Sequence, residues 1–404
     1  MRVLIPNHFP LEGSGSGIYT QNVARELVAK GHQALTICPD HQEEAGYPFE
    51  TRTILFTPDE GAEADAARLP FNFPCFTTHP RSSTTFADLD AEQRAAYVQA
   101  FQSAIDDAVA DWKPDVIHAM HLWVTGYAAT KTGVPTVATA HGTDLMGFKR
   151  YADWRELALE GVRKTPAVIA ISRQVAADTS ELYDVPREKI RLIMNGFDES
   201  IFHTMVLDRT TVLHEFGIGE PPRALIMFVG KLTKFKGIDV LLDAAAIYEA
   251  ALPGVMTLII GEGELHDQLR LRAADLHLKQ VHFLGQQPQS EIARLLNVAD
   301  LSIVPSRVEP FGLVAVEALA CGTPVVATNA GGLPDFINQD VGWLVEVDDP
   351  DGLAQAVIEA VQSDARSKKG LFAADYASQH FAWSQQVDKM VDVYHEVLGG
   401  DELV

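Results

Sequence analysis

Short runs of aliphatic and β-branched residues alternate along the chain with longer segments whose apolar positions recur every three or four residues. That alternation predicts repeated βα units and parallel sheets flanked by helices. In the first half, strands are expected at residues 3–5, 35–37, 116–118, 136–140, 168–171 and 191–193. In the second half they are expected at 225–229, 257–260, 281–284, 301–304, 325–327 and 343–345. Amphipathic helices are expected between them, among them 18–30, 237–250 and 264–276, and a last one at 383–398. The series breaks at Asn195-Gly196-Phe197-Asp198, a turn signal, and restarts near Ala224. Two doubly wound domains follow, 1–196 and 197–382. Residues 57–90 interrupt the pattern with an acidic stretch and then Phe71, Phe73, Phe76, His79 and Arg81, and read as a long surface excursion.

Composition narrows the function classes. The 404 residues carry 32 Lys+Arg against 55 Asp+Glu, a formal charge of −23. Such a charge disfavours nucleic-acid binding and attachment to anionic lipid by charge alone. Cys38, Cys75 and Cys321 are far apart, so neither a disulfide framework nor a zinc site is expected. The first residues do not read as a signal peptide, and no stretch reaches the roughly 18–20 apolar residues of a membrane helix. A cytoplasmic protein without an integral membrane segment is the expectation.

Parallel sheets bind ligands at the carboxyl ends of their strands, so chemistry is sought there. Gly13-Ser14-Gly15-Ser16-Gly17 precedes the first helix and suits either a ligand cradle or a plain flexible loop. Its glycines come too late after the strand, and in the wrong pattern, for a dinucleotide fingerprint. After a later strand comes Gly230-Lys231-Leu232-Thr233-Lys234-Phe235-Lys236-Gly237. Three of the 14 basic residues in 201–404, a half-chain with 28 acidic ones, fall within those positions. Lysines there suit a diphosphate, and a solvated turn is the alternative.

Glu309-Pro310-Phe311-Gly312-Leu313 follows another strand and leads toward Glu317. With Pro310 at its start and Gly322 at its end, a helix over 311–320 is expected. Helical rise then sets Glu309 and Glu317 about 12 Å apart, a span suited to gripping two ends of one extended ligand. The alternatives are a helix-dipole partner for Glu309 and a buried salt bridge for Glu317. His118 and His121 after one strand, and His141 with Asp144 after another, reach the same sheet edge. Asp88-Leu89-Asp90 and Asp349-Pro350-Asp351 look like metal-binding pairs but sit where helix caps are expected.

Taken together these motifs resemble those of the retaining family 4 glycosyltransferases. The matching residues include His141-Gly142-Thr143-Asp144, Asn195-Gly196-Phe197-Asp198, Gly261-Glu262-Gly263, Gly322-Thr323-Pro324 and the two-glutamate segment around Phe311-Gly312. The resemblance implies a GT-B fold, two Rossmann-like parallel-sheet domains facing across a cleft, with 383–404 crossing back to the N-terminal domain. It implies transfer of glucose or N-acetylglucosamine from a UDP-sugar, with retention, to a hydroxyl of a small polar acceptor. Lys231 and Lys236 are then expected on the diphosphate, Glu317 on the ribose, and Glu309 and His141 against the sugar. Gly230, Gly261 and Gly263 are expected beside the donor. The backbone of Phe311, Gly312 and Leu313 is expected on sugar and phosphate, and Leu284, Gly285 and Gln286 at the base. Gly15 and Gly17, with the His79/Arg81 region, would shape the acceptor side of the N-terminal domain. Lys231 departs from the arginine common in the family, replacing a bidentate grip by a point charge. No metal and no further cofactor is expected. A lipid or polysaccharide acceptor, a nucleotide-sugar epimerase and a binding protein of the same architecture are the competing readings.

Overall fold

The computed structural model describes residues 1–58, 67–76 and 79–399. The chain divides into two compact units, one of Met1–Met194 with the segment from Gln386, the other of Asn195–Gln385. In the first, seven strands form one sheet: β1 (Arg2–Pro6), β2 (Gln33–Asp40), β3 (Glu50–Leu55), β4 (Val116–Met120), β5 (Thr136–Ala140), β6 (Ala167–Ala170) and β7 (Ile190–Leu192). Their order is β3-β2-β1-β4-β5-β6-β7, with every pairing parallel. In the second unit lie β8 (Ala224–Val229), β9 (Val255–Ile260), β10 (Val281–Gly285), β11 (Leu301–Val304), β12 (Val325–Thr328) and β13 (Gly342–Val345). They run β10-β9-β8-β11-β12-β13, again all parallel.

The twelve strands expected from the pattern are all present, because continuous apolar runs are what a parallel sheet covered on both faces requires. β4, β5, β6, β9, β11 and β12 are buried at every position. The strand the pattern missed is β3. Its Glu-Thr-Arg-Thr beginning carries little apolar signal because, at the sheet edge, it is only half-buried. In the second unit, the helix Ile238–Ala251 lays Leu241, Leu242, Ala245 and Tyr248 over Ile226 and Phe228 of β8 and Ile259 of β9.

The 57–90 excursion is not a surface loop over its described part. Phe71, Phe73, Phe76 and Phe86 are all buried, and Phe86 lies 5.1 Å from Trp123 and 5.2 Å from Trp154 between ring centroids. Aromatic side chains of that size bury enough surface to turn a connecting segment into core. Residues 59–66 and 77–78 of the excursion, and 400–404 of the expected crossing-back segment, lie outside the described residues.

The final helix, Trp383–Val397, contributes its later turns to the first unit. Tyr394 places its hydroxyl 2.7 Å from His118 Nδ1, whose Nε2 lies 2.6 Å from Thr139 Oγ1. Lys30 pairs with Asp388 at 2.7 Å, and Arg191 pairs with Glu396. His118, expected among the strand-end candidates, is therefore a fully bonded residue inside β4. Asp90 and Asp349 cap the helices Ala91–Asp111 and Pro350–Gln362 through Gln93 and Gly352 amides, as their placement in the sequence implied.

Candidate active site

The second sheet changes winding direction between β8 and β11, and the carboxyl ends of those two strands carry its candidate residues. From β8 the chain runs through Gly230 and Lys231 to a single 3-10 turn, Lys234–Lys236, and into the helix Ile238–Ala251. From β11 it runs through Ser306, Arg307 and Glu309 into the helix Leu313–Ala320. Lys236 Nζ donates to Glu309 Oε2 at 2.6 Å, and Ser306 Oγ donates to the same oxygen at 3.0 Å. Glu309 is 8% exposed, so the acceptor end of this charge-assisted pair is shielded from water while Lys236 is half-buried.

The turn that presents the lysines is held from below by Arg307. Its guanidinium bonds both carboxylate oxygens of Asp239 at 2.8 and 2.7 Å, Asp348 at 2.6 Å and the Lys234 carbonyl at 2.8 Å. Burial would raise the Asp239 carboxyl, but the bonded Arg307 overrides this and holds it below the usual carboxylate range. Two glycines make the close approach possible. Gly237 has φ +65°, and a Cβ there would lie 2.0 Å from the Pro305 carbonyl oxygen; Gly261 has φ +135°, and a Cβ would lie 2.0 Å from that of Gly230. The end of β9 is thereby laid directly against the lysine loop, with the Leu232 amide donating to the Glu262 carbonyl at 2.9 Å. Gly263 packs on Leu232 in the same way. The expected proximity of Gly230, Gly261 and Gly263 to a ligand thus has a packing reason as well.

The segment after β11 differs from expectation at its start. Pro310 and Phe311 precede the helix, which begins at Leu313 after Gly312 adopts φ +106°. The 12 Å estimate assumed helix from Glu309 onward and does not apply, because four of its residues are loop. Glu309 is an ion-pair partner of Lys236 rather than a helix-dipole partner. No side chain caps the first turn of Leu313–Ala320, and the Ala315 amide donates to the Gly312 carbonyl, which leaves the Leu313 and Val314 amides for an acceptor. The Phe311 ring is buried against Phe336 and Phe381. Glu317 lies half-buried in the apolar helix, and among the described residues its carboxylate has no salt-bridge or hydrogen-bond partner. Burial pushes it up to about 7. The buried salt bridge weighed for it is absent. Leu284 and Gly285 end β10 and Gln286 follows it; Gly285 has φ +67° and its carbonyl accepts from the Gly261 amide.

In the first unit the winding reverses between β1 and β4. Gly15 and Gly17 sit in the first turn of the helix Gly15–Ala29, capped by Ser14, rather than in a loop before it. Gly17 lies against the Pro10 and Leu11 backbone, whereas a Cβ at Gly15 would meet nothing within 4 Å outside its own helix among the described residues. His141 follows β5, its backbone amide donating to buried Asp144 Oδ1 at 3.1 Å, while Asp144 Oδ2 accepts from the Leu122 amide at 3.1 Å. Burial pushes Asp144 up to about 6 and His141 down to about 3, so the imidazole is neutral. Gly15, Gly17 and His141 are therefore in the first unit, as are His79, Arg81, His118, His121 and Asp144, and the residues expected on the donor from Gly230 to Glu317 are in the second.

Sequence reasoning missed Ser306 and Arg307 as site residues. Their position immediately after the buried run 301–304 was the available signal. Among the described residues, no group of three or more His, Cys, Asp or Glu side chains is arranged to hold a metal ion. No helix there is long and apolar enough to cross a membrane.

Comparison with known proteins places this geometry in a family. Residues 13–201 match the model of glycosyltransferase family 4, and residues 214–371 that of the group 1 glycosyl transferases. Over 315 residues the chain is 33% identical to D-inositol 3-phosphate glycosyltransferase 1 of Catenulispora acidiphila, covering 71% of this chain and 73% of the relative. It is 26% identical to N-acetyl-alpha-D-glucosaminyl L-malate synthase of Bacillus anthracis, across 96% of this chain and 95% of the relative. In fold it is similar to Anabaena HepE, solved in complex with UDP and glucose, with a TM-score of 0.73 at 21% identity over 98% of this chain and 100% of that one. The chain belongs to the family 4 glycosyltransferases and has their GT-B fold of two Rossmann-like parallel-sheet domains.

Proposed function

We propose that the protein transfers glucose or N-acetylglucosamine from a UDP-sugar to a hydroxyl of a small polar acceptor, with retention and without a metal ion. The observation that carries this reading is the cluster at the β8 and β11 ends, where Lys236, Ser306 and Glu309 are bonded together beside an uncapped helix N-terminus. The second unit is the donor side and the first the acceptor side. The names of the two relatives, one for D-inositol 3-phosphate and one for L-malate, support a small polar acceptor. The complex of HepE with UDP and glucose supports a UDP-sugar.

On this reading Lys231, Lys236 and the amides at Leu313 take the diphosphate, and the Glu317 carboxylate takes the ribose hydroxyls. Glu309 lies against the sugar. As the bond from the anomeric carbon to the phosphate oxygen breaks, negative charge grows on the diphosphate where lysines and helix amides already stand. The acceptor oxygen bonds to the anomeric carbon on the same face, and its proton passes to the departing phosphate. No separate protein base is needed. His141, neutral and buried, serves as a hydrogen-bonding group on the sugar rather than as a cation.

UDP release over a panel of donors and acceptors tests the reading. Glu309→Ala should lower release by about 10²–10³-fold while UDP binding persists, and wild-type release in that variant would refute the assignment. The same assay should be insensitive to EDTA; activity abolished by EDTA and restored by Mn²⁺ would overturn metal independence.

A further inference from the structure

The helix Ala365–Phe381 of the second unit has two unlike faces. Gly370, Ala373 and Ala377 lie on the inner one, all buried, and a Cβ at Gly370 would lie 2.7 Å from the Gly322 carbonyl oxygen. Small residues there let the helix lie close against the turn that ends Leu313–Ala320. The outer face carries Lys368, Leu371, Phe372 and Asp375, all exposed. Their spacing of i, i+3, i+4 and i+7 sets them in one stripe along the helix. Leu371 is 79% exposed and Phe372 50%. The Phe372 ring is held in place, stacked on Tyr376 at 6.2 Å with 9° between the planes, and the Tyr376 hydroxyl donates to the Phe336 carbonyl at 3.3 Å. A lone apolar side chain in water needs no explanation, but two adjacent ones between opposite charges describe a surface with a partner.

The charges say which partner. Arg366 commits its guanidinium to the Ala299 and Asn297 carbonyls and the Thr323 hydroxyl. Lys369 bonds the Gln339 carbonyl and lies 5.0 Å over the Trp343 ring. Lys368 is the cation of this stretch that remains for a partner, and Asp375, two turns along, offsets it. Neither is in an ion pair among the described residues. One lysine beside a carboxylate gives little hold on anionic lipid. The stripe instead complements itself. The two charges are about 10 Å apart along the helix axis, and Leu371 and Phe372 lie midway between them. A two-fold axis through that midpoint lays the helix antiparallel on a copy of itself, and positions 368 and 375 exchange places. Each lysine then meets an aspartate, and the apolar pairs meet at the axis.

We propose that this face joins two copies of the chain in an antiparallel two-fold dimer. Leu371 and Phe372 of both copies pack across the axis, and two Lys368–Asp375 bridges flank them. Two-fold interfaces are self-complementary by necessity, and this stripe meets that condition in both charge and apolar content. Phe372, already stacked on Tyr376, loses little freedom on pairing. Four large apolar side chains around one helix pair make a small interface, so the dimer forms reversibly. The proposal stands independently of the transferase reading.

Sedimentation velocity on the full chain, from about 1 to about 100 µM, should show monomer giving way to dimer. Leu371→Glu, at a position exposed in the monomer, should fold and remain monomeric throughout. Lys368→Asp and Asp375→Lys set like charges opposite each other, and each should raise the dimer dissociation constant by about tenfold or more. The double variant exchanges the signs and should return it to within about threefold of wild type. A wild type still monomeric at the highest concentration, a Leu371→Glu protein that dimerises like wild type, or a double variant no better than the single ones would overturn the proposal. So would a monomeric wild type that floats with phosphatidylglycerol vesicles through Leu371, since the stripe would then be a lipid contact. If a charge variant fails to fold, the wild-type series and Leu371→Glu still decide.

Discussion

Glu317 is the residue whose surroundings make the sharpest statement. A carboxyl without a partner in an apolar helix is raised to about 7 by burial, so it is part-protonated at neutral pH. Only the ionised form accepts from two ribose hydroxyls, so its contribution to UDP affinity should grow as pH rises through about 7. Calorimetric titration of UDP into wild type and Glu317→Gln between pH 6 and 8 isolates it, since ionisation of the phosphate itself is common to both. The wild type should gain affinity relative to the variant across that window, and parallel profiles would remove Glu317 from the ribose. Glu309, Glu317 and the lysines were legible in the sequence because charge is conspicuous in an apolar or acidic context. Ser306 was not legible, because a serine after a strand is an ordinary residue until its hydroxyl is seen 3.0 Å from Glu309.

Among elements, the turn Lys234–Lys236 owes its position to Arg307 and to the backbone contacts at Gly237 and Gly261. Arg307→Ala should leave a folded protein in which the turn is no longer tied to Asp239, and kcat/KM for the donor should fall by about 10²-fold through misplacement of the lysines. Arg307→Lys should recover little of it, because one ammonium does not reproduce the paired bonds to Asp239. Full activity in Arg307→Ala would show that the turn holds itself. Strands were the elements best read from the sequence, since a buried parallel strand is a bare apolar run. Element edges were read less well. The helix after Glu309 starts late because Gly312 takes a left-handed φ, and β3 was missed because edge strands tolerate polar residues on both faces. The 57–90 excursion was misjudged because its aromatic residues, without periodicity, gave no sign of burial.

For the molecule as a whole, the first unit carries an acid sensitivity. Burial pushes His8, His118 and His141 down to about 3, and His121 lies well below its ordinary value. In the unfolded chain these groups bind protons near pH 6.5, whereas in the native state His8, His118 and His141 do not until about pH 3 and His121 binds well below its ordinary value. The unfolded state therefore binds more protons across that interval, and stability falls as pH drops from 6.5. Asp144, pushed up to about 6, and Glu44, pushed up to about 7, act in the opposite sense, but these two carboxyls oppose four histidines. Thermal unfolding should show Tm falling steadily between pH 7 and pH 4.5. A flat profile would mean that the imidazoles are solvated. The formal charge of −23 does not describe the candidate site, where Lys231, Lys234 and Lys236 after β8 meet Arg307 after the neighbouring β11.

The bond between Tyr394 and His118 joins residues 276 positions apart within one unit. A nascent chain leaves the ribosome in order, at about 5–20 residues per second. The seven strands of the first sheet are complete by Leu192, yet the helix that covers His118 is not made until some two hundred residues later. For ten seconds or more the first unit waits without its final helix while the second, continuous from Asn195 to Gln385, is synthesised whole. The part of the protein made first is thus the part finished last.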